Sequence, residues 1–105
     1  MVGASELAAH VADQLSGLQG VRRIPMMGGY IFYYRDKVIG GIYEPGFLVK
    51  DVPAARAAMP DAVLMATEKG GRPTMLSCTI LEDREKLQAM VTAMWPELPE
   101  RRKKG

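Results

Sequence analysis

Residues 25–50 read PMMGGYIFYYRDKVIGGIYEPGFLVK, with aromatic and β-branched residues set between glycine pairs and sharp turns. A strand covered by helices on one face should alternate apolar and polar residues. YIFYY does not. Tyr30, Phe32 and Tyr34 point one way, and Ile31 and Tyr33 point the other. VIGGIY repeats the difficulty, with Val38 and Ile42 set against Ile39 and Tyr43. A chain of 105 residues with three helices cannot cover both faces of its sheet. One face or edge is therefore expected to carry exposed apolar and aromatic side chains, and such a patch marks an interaction site. Tyrosine suits it because the ring is apolar while the hydroxyl stays wet. The expected patch is Met27, Tyr30, Ile31, Tyr33, Ile39 and Tyr43. A symmetric dimer is its most economical cover, and the eight methionines add adaptable packing. The competing reading, in which loops and the chain end shield these rings, predicts a polar exterior.

The flanking segments supply the covering layer. SELAAHVADQLSGL places Leu7, Val11, Leu15 and Leu18 at helical spacing, with Ser5 as a candidate cap and Gly17 and Gly20 at its end. VRRIP contains Pro25, which argues against a central strand and leaves an edge piece or lead-in. Gly28 and Gly29 mark a bulge or tight bend. Tyr30–Arg35, Val38–Tyr43 and Phe47–Lys50 form a three-stranded meander, turning at Asp36 and at Pro45-Gly46. DVPAARAAMPD is a short helix, with Asp51 as cap, Pro53 in the first turn and Pro60 as its stop. AVLMAT and PTMLSCTI read as two strands joined through EKGGR. The last helix, EDREKLQAMVTAMW, carries Leu87, Met90, Val91, Met94 and Trp95 as one stripe, and Pro96 and Pro99 end it. The order α-β-β-β-α-β-β-α and short connections predict a two-layer α+β domain. Its sheet would be five-stranded and antiparallel, with helices on one face.

Chemistry is sparse. A zinc site takes about four Cys, His or carboxylate ligands, and the chain has one histidine, His10, and one cysteine, Cys78. His10 reads as a helix-border residue and Cys78 as a small apolar filler, so no metal and no cofactor is expected. Glu82, Asp83 and Glu85 sit at a helix start, where acidic residues are favoured by the helix dipole. None of the three glycine pairs stands in a strand–loop–helix context, which removes dinucleotide and phosphate-loop readings. Gly40-Gly41 lies inside a strand and leaves a bare patch open to close backbone approach or to an overlying ring, packing under a helix being the simpler reading. No catalytic residues are assigned, and the expectation is a non-enzyme.

The net charge of +2 hides an asymmetry. Four of the 14 basic residues, Arg101, Arg102, Lys103 and Lys104, stand together at the end. The other 10 face 12 acidic residues, leaving −2. Residues 1–98 therefore read as one domain and 99–105 as a basic, disordered tail. With Arg22 and Arg23, that tail supplies candidate anion contacts for a weak nucleic-acid-binding reading, with tyrosines for stacking. A small-ligand site near Gly28 to Tyr30 is a third reading. No apolar run approaches the ~20 residues of a bilayer span. With no export signal and a lone cysteine, a cytoplasmic location is expected.

MMGGYIFYY, GGIYEPGFLVK, KGGRPTML and the helix ending in MWPELPE resemble the TfoX/Sxy N-terminal domain family. Met26, Met27, Gly28, Gly29, Tyr30, Leu48, Lys50, Lys69, Gly70, Thr74 and Met75 carry the likeness, over about Glu6 to Trp95. Met27 stands where the family often has phenylalanine. The resemblance implies a fold like the type III secretion chaperones and no catalytic residues. Full-length members regulate natural competence, are thought to act with the cyclic-AMP receptor protein at promoters, and carry a second, C-terminal domain. The chain is expected to be a single-domain member: a regulatory or adaptor domain that forms a homodimer and binds an unknown regulatory protein.

Overall fold

A computed structural model describes residues 3–100. The elements in order are α1 (Ala4–Gln14), β1 (Val21–Met26), β2 (Gly29–Tyr34), β3 (Lys37–Tyr43) and β4 (Gly46–Lys50). There follow α2 (Pro53–Ala58), β5 (Leu64–Met65), β6 (Met75–Ser77), α3 (Arg84–Met94) and a 3₁₀ turn, Trp95–Glu97. One antiparallel sheet runs in the order β1-β2-β3-β4-β6-β5. The fold is α+β, as expected, but the sheet has six strands, not five. The added strand is β1, the segment read as an edge piece or lead-in, and it stands at the edge of the sheet.

Pro25 fits because of its position in the ladder. The Arg35 N–H donates to the Gly20 carbonyl at 2.9 Å, so Gly20 and Arg35 form a hydrogen-bonded pair. Such pairs alternate along an antiparallel ladder. Arg22, Ile24 and Met26 thus bond toward β2, while Val21, Arg23 and Pro25 turn their backbone outward. The missing N–H of Pro25 falls on the free edge and costs no ladder bond.

The helices share one core with one face of the sheet. Val11 and Leu15 of α1, Ala55 of α2, and Leu87, Val91 and Met94 of α3 pack with Phe32, Ile39, Ile42, Val49 and Leu76. Each large apolar side chain buried this way contributes roughly 1.5–3 kcal/mol. Phe32 and Phe47 meet edge to face at 6.0 Å. Asp83 caps α3 by accepting from the Lys86 N–H at 3.1 Å. At α1 the N-cap is Gly3 rather than Ser5, and the Glu6 carboxylate accepts the Gly3 N–H. Asp51 does not cap α2, whose N-cap is Val52. Its carboxylate takes the Arg56 guanidinium at 2.6 and 2.8 Å, a hydrogen-bonded pair that holds the Asp51 pKa below its ordinary value.

A bulge in β3 decides which residues reach the core. Phe32 pairs with Gly40 and Tyr33 with Val38, so Ile39 is an extra residue between them. Beyond a bulge the in–out alternation reverses. Val38 and Tyr43 therefore share the open face, and Ile39 and Ile42 are buried on the helix side. Ile39, expected in the exposed patch, is fully buried and leaves it. Gly40 and Gly41 allow close backbone approach between strands. A Cβ on Gly40 would strike the Leu48 carbonyl oxygen, and one on Gly41 the Tyr30 carbonyl oxygen.

Candidate functional site

The face opposite the helices is built row by row from the strand register. Its central row runs Ile24, Ile31, Gly41, Leu48 and Ser77. Beside it lie Arg22, Tyr33 and Val38 on one side, and Met26, Gly29, Tyr43 and Gly46 on the other. At the far edge Met65 pairs with Met75 and Met75 with Lys50. None of these residues belongs to the helix-side core. Leu48 and Met75 are nonetheless buried. Ile31, Tyr33, Val38 and Tyr43 are half-buried, and Ile24 and Met26 are exposed. The result is an apolar strip across the sheet with no helix over it.

Tyr43 is fixed by the sheet beneath it. Its ring and hydroxyl would lie 3.1 Å from a Cβ on Gly41, so the bare glycine is what lets the phenol lie down. That partial burial raises the Tyr43 pKa. Tyr33 lies across from Arg22, whose guanidinium stacks 4.8 Å from the ring centroid.

The free edge beside this face is guarded. Pro25 blanks one of its donor positions, and Arg22 and Arg23 place like charges along it. These are the usual devices against strand-to-strand pairing.

At one end of the face, Met27 and Gly28 form a two-residue turn with φ of 44° and 83°. Two positive φ values are the mark of a tight hairpin matched to strand twist. Met27 is 99% exposed. Beside it opens a cleft of about 750 Å³, walled by Leu7, Tyr30, Ile42 and Tyr43 and rimmed by Glu44 and Thr67–Lys69.

The expected patch is thus partly regrouped. Ile31, Tyr33 and Tyr43 share the open face. Tyr30 sits on the helix side at its rim, and Met27 projects from the turn formed with Gly28 ahead of Gly29. Ile24, Met26 and Val63 were missed. The alternation Arg22-Ile24-Met26 was the available signal, left unused in a segment read as an edge piece or a lead-in.

Of the candidate anion contacts, Arg22 and Arg23 make contacts within the chain. Arg22 reaches Asp36 at 3.5 Å as well as Tyr33, and Arg23 donates to the Ala8 carbonyl at 2.9 Å. Arg101, Arg102, Lys103 and Lys104 lie outside the described residues. His10 Nε2 stands 2.9 Å from a Glu82 carboxylate oxygen, and burial raises the Cys78 thiol pKa. Among the described residues no group of three His, Cys, Asp or Glu could hold a metal ion, and no helix is long and apolar enough to cross a membrane.

No family model, no curated protein and no solved structure matches this chain.

Proposed function

We propose that the chain is a non-enzymatic regulatory or adaptor domain that self-associates and binds a protein partner through the open face of its sheet. One observation carries this reading. All three helices pack on one side, and the other side presents Ile24, Met26, Ile31, Tyr33 and Tyr43 in adjoining rows. Half-exposed tyrosines with a guarded edge favour face-on contact with protein. The likeness of MMGGYIFYY and KGGRPTML to the TfoX/Sxy family adds a role in transcriptional regulation, and with it the chaperone-like reading of the fold. The nucleic-acid reading is weaker, because Arg22 and Arg23 are spent on contacts within the chain.

Light scattering on the eluting protein tests the first half of the proposal. The unaltered chain should elute as a dimer. Tyr33→Glu should shift it to monomer while leaving the fold intact, because the new carboxylate faces Arg22 across the ladder. A monomer at every concentration for the unaltered chain, or a dimer unmoved by Tyr33→Glu, would refute it.

A further inference from the structure

We infer that an extended peptide segment of a partner protein adds to the sheet as a further strand beside β5. The inference goes beyond the face contact proposed above, and it stands or falls separately from it.

β5 ends the sheet on the side away from β1, and no strand pairs with its outer side. Two hydrogen bonds decide which of its backbone groups point outward. The Cys78 N–H donates to the Phe47 carbonyl at 3.1 Å, and the Ser77 N–H donates to the Val63 carbonyl at 2.9 Å. Bonded pairs alternate along an antiparallel ladder. In this register Leu76 turns its N–H and carbonyl toward β4, while Ser77 turns its own toward Val63. Leu64 stands opposite Leu76, so its N–H and carbonyl point off the sheet. Ala62 has the same parity. Its N–H is given to the Met59 carbonyl at 3.0 Å, which leaves its carbonyl facing outward. Donors and acceptors spaced at every second residue along an open edge are the groups that another extended backbone satisfies.

The two edges of the sheet differ in how they are protected. β1 carries Pro25 between like-charged arginines and the turn. The run Ala62–Thr67 has neither a proline nor a charge. Val63 is 60% exposed and Leu64 41% exposed. Val63, bonded to Ser77, continues the open face, and Leu64, paired with Leu76, lies on the helix side. An added strand would therefore meet apolar side chains on both faces, and its fitting sequence is uncharged at the centre and β-branched or otherwise apolar.

Shortness is the one guard β5 has, since it spans only Leu64–Met65. Short edge strands oppose the joining of sheets between folded domains, and a second copy would bring an edge just as short. A peptide escapes that limit, because it can run on past Leu64 and follow the exposed Val63 and the Ala62 carbonyl.

Fluorescence anisotropy tests this, using a short labelled peptide of alternating valine and threonine titrated with the full chain, with amide hydrogen exchange at Leu64 beside it. In the free chain the Leu64 amide should exchange as an open amide while that of Ser77 is protected, and saturating peptide should protect Leu64. Leu64→Pro removes the outward donor without losing a ladder bond, as Pro25 does at the other edge, and Val63→Lys sets a charge beside it. Each should weaken peptide binding by about tenfold or more. Tyr33→Glu should bind the peptide like the unaltered chain. A Leu64 amide already protected in the free chain, no binding by the unaltered chain, or equal binding by Leu64→Pro and Val63→Lys would overturn the inference. Loss of binding in Tyr33→Glu alone would overturn the edge and leave the face contact standing. A dimer that Leu64→Pro dissolves would overturn the partner peptide in favour of a second copy.

Discussion

Strand β2 ends in two turns of the same kind that are used in opposite ways. Met27-Gly28 enters it with φ of 44° and 83°, and Arg35-Asp36 leaves it with 49° and 72°. At the second turn every strained residue is held. The Trp95 ring lies 4.9 Å from the Arg35 guanidinium carbon and 4.0 Å from Lys37 Nζ. Lys37 donates to the Trp95 carbonyl at 3.1 Å, Trp95 Nε1 donates to the Arg35 carbonyl at 3.3 Å, and Arg22 reaches Asp36. That turn ties the end of α3 to the sheet. At the first turn a methionine carries the strain and projects into solvent. Local strain offset by contacts within the chain is architecture. The same strain left without them is where an outside contact is to be sought.

The largest way to break the comparison is to undo the clamp. Trp95→Ala removes two cation–π contacts, one hydrogen bond and a half-buried ring. The lost ring burial and clamp contacts should cost about 2–4 kcal/mol in denaturant unfolding. A loss below about 0.5 kcal/mol, the scale of an ordinary surface change, would mean that the two turns do not differ in the way described. Met27→Asn sharpens the contrast from the other end. Relief of a left-handed methionine should raise monomer stability by roughly 0.5–1 kcal/mol. A clear loss of stability would show that Met27 has a structural task in its own chain.

How far these features could be read from the sequence depends on the kind of signal. Helical stripes such as Leu87, Met90, Val91 and Met94 were legible because burial of one helix face repeats every few residues. The two-sided apolar character of YIFYY was legible too, but the exposure expected of its second side was not met in full: no helix packs there, yet Ile31 and Tyr33 are half-buried and Leu48 beside them is buried. The sixth strand was not, because a proline's cost depends on whether its nitrogen faces the ladder or the edge. Nor was the fate of Ile39. A bulge reverses alternation, and nothing in VIGGIY fixes its place until Phe32, Tyr33 and the bare Gly40 and Gly41 are set in register. The Trp95 clamp joins residues some sixty positions apart, and periodicity carries no trace of it. For the candidate site, residue types were readable and the cleft lies near Gly28 to Tyr30, where the third reading put a pocket, but the membership of Ile24 and Met26 required the register.

The smallest effect concerns the phenol of Tyr43, which lies on the open face near the unclamped turn. Burial raises its pKa above the ordinary tyrosine value of about 10. For a group whose folded pKa is raised, the associated stability is complete below the unfolded pKa and is lost as pH rises through the folded one. Stability should therefore decline on the alkaline side, and Tyr43→Phe should remove that part of the decline. The difference in phenolate absorbance between the unaltered chain and Tyr43→Phe isolates its titration. If a second copy covers this face, dimerisation buries the phenol further, and the midpoint should climb with protein concentration. A midpoint that stays fixed as dimer forms would place Tyr43 outside the contact and confine any association to the rows nearer β1.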